Sequence, residues 1–408
     1  LPPSTAVQPL AIRNYSATTA LGAGRTAQLA ALRERRSGLR RNDFGPRRRD
    51  GSLLPTWIGR VQGVEDAALP PPLSQWECRN NRLAWLALQQ DGLLADAIAL
   101  GRRHGPGRVA VVIGTSTSSI GATEEAYARL ETSGNGEPRF PADLQRPGVH
   151  TPHSIGRFVQ QATGLRGPCM TVATACSSSA KVFAQAARLI AAGQADAALV
   201  GGVDTLCGSV LYGFNSLGLV SQMPCRPFDA RRDGLSLGEA GGFALLEPAS
   251  EREAGLQLRG WGESSDAHHM SAPHPEGLGA RLAMRDALAR AGIQPGDLGY
   301  LNLHGTATPA NDAAEALAVA ALFPDTLHAS STKAWTGHTL GAAGIVESVF
   351  ALLALEHGLL PGTLGGDTPD PANGPQIRFE NAQREVRYAM NNSFGFGGNN
   401  CSLVFGKA

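Results

Sequence analysis

The sequence predicts an α/β protein made of two similar halves whose sheets are covered on both faces. Three features carry this expectation. Short apolar runs alternate with longer helical stretches, the runs lack the polar alternation of half-exposed strands, and one strand–loop–helix unit recurs in the second half. The chain has 408 residues, 42% hydrophobic and 17% charged, enough apolar material for a large core. Glycine accounts for 50 positions, an excess that implies many tight turns and close backbone contacts.

Taken in order, 33–72 is rich in Pro and Arg, weakly periodic, and expected to be a long irregular connection. Val109 to Ile113 reads as a buried strand closed by Gly114. Cys169 to Val172 is a second strand, leading through a short loop to Cys176 and an Ala-rich helix over 177–192. Residues 195–203 and 242–246 are further strands, and a polar segment at 248–254 is the natural division between residues 1–250 and 251–408. The second half repeats the scheme. A helix over 277–291, a strand at 299–303 and a helix over 312–322 lead to a strand at 328–330. A loop then carries His338 into a helix over 341–356, and a last strand lies at 402–405. Each half thus sets one reactive side chain at the start of a small-residue helix. A pseudo-twofold would bring the two helix starts together at the centre.

The formal net charge of +1 excludes a chain that binds polyanions through its overall field. Eight arginines do cluster locally, at 33, 35, 36, 40, 41, 47, 48 and 49, without the interleaved aromatics of a nucleic-acid surface. Six scattered cysteines without a Cys-x-x-Cys pair argue against a disulfide framework or a thiolate zinc site, and favour a reducing compartment. No run is read as a membrane span, and the first twenty residues lack the pattern of a secretory signal, so a cytoplasmic protein is expected. The chain begins at Leu1 rather than Met, which leaves the native start open.

Cys176 is the candidate nucleophile. A strand-to-helix junction offers unpaired N–H groups and a helix dipole that favour a thiolate, and Thr174, Ala175 and Ser177–Ser179 are small enough to admit substrate. His304 and His338 each stand beside glycines after a strand or loop, and Lys333 is close to His338. A helix-start Cys with two such histidines and a lysine is a constellation for acyl transfer. Other motifs are weaker. Gly22-Ala-Gly24-Arg-Thr-Ala27 has the outline of a dinucleotide loop, but the acid expected about twenty residues on is only Asp43, inside the irregular connection. His268, His269 and His274 lack the spacing and supporting residues of a metal site.

These stretches together resemble the β-ketoacyl synthases, the carrier-protein-dependent condensing enzymes of the thiolase superfamily. The similarity lies in TVATACSSS (171–179), RPFDARRDGLSLGE (226–239), SDAHHMSAP (265–273), HGTATPANDAAE (304–315), Lys333–Gly344 and NSFGFGGNN (392–400). The resemblance implies a five-layer α/β/α/β/α thiolase-like fold and a decarboxylative condensation of an acyl group with malonyl-acyl carrier protein. In it Cys176 accepts the acyl group, while His304 and His338 promote decarboxylation. Lys333 is the buried lysine of the site, and Glu315 holds that lysine and its loop. Phe396 gates the site and shares an oxyanion hole with Cys176. Thr306 and Thr308 hold the phosphopantetheine arm, and His269 lines its entrance. It implies no cofactor beyond the phosphopantetheine that the carrier brings, and a homodimer or a heterodimer with a related subunit. Arg47, Arg48, Arg49 and Arg60 are expected to dock the acidic carrier protein. The competing reading is a catalytically silent subunit that sets chain length for a partner; such relatives lack the nucleophile. Two departures touch the substrate. Asn399 stands where a Thr is usual, and Gly114–Ser118 resembles the stretch in synthases of aryl-polyene or related pigment pathways.

Overall fold

The computed structural model describes residues 7–250 and 254–408. The expected junction between halves abuts 251–253, and with residues 1–6 that segment lies outside the described residues. Ten main strands form the framework: β1 (Leu10–Thr19), β2 (Val109–Gly114), β3 (Cys169–Val172), β4 (Ala197–Asp204), β5 (Ala240–Pro248), β6 (Leu256–Ser265), β7 (Tyr300–Leu303), β8 (His328–Ser331), β9 (Tyr388–Gly395) and β10 (Asn399–Lys407). The first five are ordered β3-β2-β4-β5-β1 and the last five β8-β7-β9-β10-β6. In each half the first three strands of that order are parallel and the last two join antiparallel. The topology of one half is therefore repeated by the other, and the halves meet where Leu10 and Ala11 of β1 oppose Leu258 and Gln257 of β6.

Nine helices matter here: α1 (Arg79–Leu88), α2 (Leu93–His104), α3 (Ile120–Ala128), α4 (Ser154–Thr163), α5 (Ser178–Ala191), α6 (Gly208–Ser216), α7 (Leu278–Ala291), α8 (Pro309–Ala320) and α9 (Ala343–His357). α5 and α9 pack on each other and on strands of both halves. α1, α2 and α4 cover the outer face of the first sheet, and α7 covers the outer face of the second with α8 against it. This is the thiolase-like five-layer arrangement.

The strand residues show why two layers are needed on each sheet. Val109, Val111 and Ile113 of β2 join the outer apolar cluster of the first half, while Ala110 and Val112 join the central one. On β7, Leu301 and Leu303 face the outer cluster of the second half and Tyr300 the centre. Successive side chains point to opposite faces, so both faces must be covered. The stretch Leu340–His357 has the length and apolarity of a membrane span, contrary to the sequence expectation, but 89% of it is buried within the protein. It is the buried helix of the central layer.

Small residues at the helix starts set the distances. A Cβ on Gly344 of α9 would come within 2.3 Å of the Ala180 nitrogen of α5, and one on Gly114 within 2.4 Å of the Ser179 nitrogen. The Gly, Ala and Ser content of these segments thus lets α9 and β2 close onto the beginning of α5.

Candidate active site

β3 ends four residues before Cys176, and the chain turns sharply through Ala175 at φ 53°. The serines after the cysteine hold that turn. Ser177 Oγ donates to Thr174 O, Ser178 Oγ donates to Ala175 O, and the Thr174 N–H donates to Ser178 Oγ. Cys176 is thereby fixed just before α5, buried, with the Phe396 N–H directed at its sulfur.

His338 arrives from the matching place in the second half. Its N–H donates to Ser236 O at 2.7 Å and its carbonyl accepts from the Gly238 N–H at 2.9 Å. Gly337 needs its φ of 74°, and a Cβ there would lie 2.8 Å from Leu237 O. So held, His338 Nε2 lies 3.0 Å from Cys176 Sγ. His304 follows β7, with its ring centroid 5.4 Å from that of His338 and the planes at 86°. The sulfur and a nitrogen from each ring all fall within 4.8 Å of one another, the only such cluster of potential metal ligands among the described residues.

Glu315 and Lys333 divide the supporting work differently from the expectation. Glu315 accepts the N–H of His304 at 2.9 Å and of Gly305 at 2.8 Å, so it fixes the loop. The lysine is held instead by Glu347 on α9, whose Oε1 lies 2.5 Å from Lys333 Nζ. The same ammonium donates to the His304 carbonyl and lies 3.4 Å from His304 Nδ1. An ammonium has no lone pair, so Nδ1 must be the acceptor and the ring proton sits on Nε2. Glu347 was missed because it lies inside an apolar helix, where only the three-dimensional arrangement reveals its partner.

A cavity of ≈ 240 Å³ opens on these groups, lined by Cys176, His304, His338, Phe214, Phe394 and Phe396 among others. The Phe396 ring stacks on Phe214 with centroids 5.6 Å apart, as a closed gate would. Thr306 and Thr308 line the same cavity and share a hydrogen bond at 2.8 Å. Asp312 fixes their loop by accepting the Ala307 N–H at 3.1 Å. Asp204, also unforeseen, gathers Thr115, Ser116, Thr117 and the Gly341 N–H onto one carboxylate.

Three expected groups stand as follows. His269 is exposed and off the cavity wall; its Nδ1 accepts the Ser271 N–H at 3.2 Å, and Ser271 itself lines the wall. Arg60 is not a free docking cation, because Asp43 at 3.2 Å and Glu65 pair with it, and its guanidinium lies over the Phe44 ring. The third concerns the thiol. Burial pushes Cys176 up to about 12, with Asp204 and Glu347 adding to the rise; the Lys333 charge and the Phe396 N–H only partly offset it. Burial also drives both active-site histidines well below the usual imidazole range. Burial thus favours a neutral thiol against a neutral imidazole over a standing thiolate. Elsewhere, Asp91 takes the Arg25 N–H at 2.9 Å, so a carboxylate occupies the position an anion would take at the Gly22–Ala27 turn. Asn399 accepts from Lys181 Nζ at 3.4 Å, tying the segment after the gate to α5.

Comparison with known proteins agrees with this geometry. Residues 78–252 match the β-ketoacyl synthase N-terminal domain and 256–367 its C-terminal domain. The 3-oxoacyl-[acyl-carrier-protein] synthase 2 of Staphylococcus aureus (strain COL) is 36% identical over 315 residues, covering 74% of this chain and 75% of that protein. A mitochondrial 3-oxoacyl-[acyl-carrier-protein] synthase of Arabidopsis thaliana is 40% identical over 267 residues, 60% of this chain and 58% of that protein's length. Among solved structures, the ketosynthase ApeO in complex with its chain length factor ApeC from Xenorhabdus doucetiae is similar at TM-score 0.85. It shows 37% identity over 98% of each chain. A β-ketoacyl synthase from Burkholderia phymatum STM815 gives TM-score 0.85 and 29% identity over 98% of this chain and 100% of that one. The chain belongs to the β-ketoacyl synthase family of acyl-condensing enzymes. Within it, the chain is a β-ketoacyl-acyl carrier protein synthase.

Proposed function

We propose that Cys176 carries the acyl chain and that His304 and His338 then decarboxylate a malonyl unit to extend it. The observation that carries this reading is the 3.0 Å contact of Cys176 Sγ with His338 Nε2, with His304 in the same buried cavity. In the first half-reaction Sγ attacks the carrier thioester. His338 Nε2 takes the thiol proton and returns it to the departing carrier thiolate, while the N–H groups of Cys176 and Phe396 face the oxyanion. With Sγ acylated, the two rings flank the thioester oxygen of the incoming malonyl unit. The His304 Nε2–H, fixed by Lys333 on Nδ1, donates to that oxygen as carbon dioxide leaves. The enolate carbon attacks the acyl carbonyl, the carbon–carbon bond forms, and the carbon–sulfur bond to Cys176 breaks, the released thiolate taking up one proton from water to restore the thiol. Neutral imidazoles suit this step, since neither is an acid strong enough to quench the carbanion. Thr306 and Thr308 are the groups on the cavity wall suited to hold the phosphopantetheine arm, which the carrier protein supplies.

Docking of that carrier is assigned to Arg47, Arg48 and Arg49. They are exposed on a turn closed by Arg48 and Ser52. Pro46 at its base accepts from Tyr212 Oη at 2.8 Å, on the helix whose Phe214 lines the cavity. Assembly as a homodimer or with a chain-length subunit is proposed by analogy with the complexed relatives. The cytoplasm suits the six unpaired thiols.

The test is incubation with malonyl carrier protein and a panel of saturated, unsaturated and aryl-conjugated acyl primers, read by mass spectrometry. Cys176→Ala should abolish acylation and condensation together. Cys176→Gln should keep decarboxylation and lose condensation; retained condensation would remove Cys176 from the role.

A further inference from the structure

The stretch 226–239 ends on a charged side chain that the chemistry above does not use. Glu239 is 0% exposed. Its Oε1 accepts the Val61 N–H at 3.0 Å and its Oε2 the Leu206 N–H at 3.1 Å. Arg79 closes on both oxygens, Nη2 donating to Oε1 at 2.6 Å and Nε to Oε2 at 3.1 Å. A two-pronged arginine–carboxylate contact of this kind is both strong and directional.

Three short strands meet beside this carboxylate. Leu39–Arg41 pairs antiparallel with Trp57–Gly59, which pairs in parallel with Leu237–Gly238, and Leu237 bridges to His338. The loop between the first two strands carries Arg47, Arg48 and Arg49. Backbone pairing therefore runs unbroken from the turn assigned to the carrier to the histidine that faces Cys176 Sγ. The strands also press on the turn before His338: a Cβ on Gly59 would lie 1.9 Å from Thr336 O, and one on Gly238 2.3 Å from it. Yet only Ile58 and Gly59 pair with Leu237 and Gly238, a ladder too short to hold its own place. Glu239 follows that ladder directly. Val61 lies just beyond the hairpin, and Leu206 just beyond Asp204, which accepts the Gly341 N–H. Arg79 adds a grip on the hairpin itself, its guanidinium 4.7 Å from the centre of the Phe44 ring.

We propose that Glu239, clasped by Arg79, is a positioning residue for acyl transfer. It fixes on one carboxylate both the strand that aims His338 at Cys176 and the hairpin that receives the carrier. This rests on the roles given above to Cys176, His338 and Arg47–Arg49.

The experiment follows single-turnover acylation of Cys176 by intact-protein mass spectrometry, over a range of concentrations. One acyl donor is the carrier thioester, the other the same acyl group on free pantetheine. Amplitude counts competent sites and the rate constant reports their geometry, so loss of folded protein moves only the first. Glu239→Gln keeps the side chain's size and loses its charge. It should lower the maximal rate constant about tenfold or more with both donors, because both use His338. The preference for the carrier-bound donor at low concentration should also fall, by about threefold or more, as the docking turn loses its register with the site. Should Glu239→Gln not fold, Arg79→Lys keeps the charge without the fork and should produce both changes to a smaller degree. An unchanged rate constant, with only amplitude or melting temperature lowered, would overturn the proposal. So would a fall confined to the carrier-bound donor, which would leave His338 aimed without Glu239, or a preference that does not change. Charge reversal at Arg47–Arg49, run alongside, should lower the preference and leave the maximal rate constant alone; failure there would overturn the docking turn, and the hairpin's share of this proposal with it. A wild type that neither donor acylates would overturn the assignment of Cys176 and everything that rests on it.

Discussion

Glu347→Gln isolates the buried charge behind His304. Lys333 and Glu347 are 1% and 3% exposed and their charged atoms are 2.5 Å apart. At an effective dielectric constant near 20, the attraction lost is roughly 6–7 kcal/mol. The His304 carbonyl remains as a partner for the ammonium, so the expected destabilisation is about 3–5 kcal/mol, the usual cost of stranding one member of a buried pair. For a chain of this size that lowers the melting midpoint by about 4–6 °C. The double variant Lys333→Met/Glu347→Leu removes both charges and should recover most of the loss. Its malonyl decarboxylation should nevertheless fall by about 10²–10³, because nothing then fixes the His304 proton on Nε2. Melting curves for the two single variants and the double, with decarboxylation measured on each, decide the matter. A Glu347→Gln protein within 1 kcal/mol of wild type, or a double variant that keeps full decarboxylation, would refute the role given to this pair.

Gly395→Ala puts a Cβ 2.8 Å from Thr174 O and 3.2 Å from the Cys176 nitrogen. It should lower acyl transfer about 10²–10³ by displacing an oxyanion donor, measured as single-turnover acylation; an unchanged rate would place the oxyanion elsewhere. Burial raises Glu315 from 4.5 to about 7. The native state therefore binds its proton more tightly than the unfolded chain, so this contribution to stability is present at low pH and declines as pH rises from 4.5 towards 7. Glu315→Gln should flatten that decline in melting temperature, and parallel wild-type and variant curves would show that the carboxyl does not titrate there. Reversing charge at Arg47, Arg48 and Arg49 together should raise KM for carrier-bound substrate and spare free thioesters. Arg60→Ala should instead lower stability by breaking its pairs with Asp43 and Glu65, and a KM effect equal to that of the triple variant would return it to the docking surface.

The sequence made the central layer legible because its signals are local. Small residues crowd the starts of α5 and α9, and their apolar runs are long, so both helices and the side chains that precede them could be placed within a few residues. β1 and β6 were not foreseen. Arg13 and Asn14 interrupt one and Arg259 the other, and these strands are defined by their neighbours across the sheet rather than by their own pattern. The site divides along the same line. Cys176, His304, His338 and Lys333 each sit in a short motif with its own glycines or serines. Glu347 and Asp204 act on groups 14 and 89 residues away, and no spacing along the chain announces such contacts.

The duplicated topology also explains why these distant groups had to be charged and buried. Each half supplies an incomplete reagent: the first a thiol at a helix start, the second two imidazoles on loops. Joining them at 3.0 Å buries both helix beginnings in the central layer, where the loops are held chiefly by other protein groups rather than by solvent. Glu315, Glu347, Asp204 and Asp312 do that holding, three by collecting backbone N–H groups and one by pairing with Lys333. Their burial raises every one of the four carboxyls, which is the direct consequence of using acids as scaffolding in a buried layer. Precision at the sulfur is thus tied to ionisation of its supports. Loss of activity on acidification should therefore begin with the loops that aim the histidines, before Cys176 itself changes state.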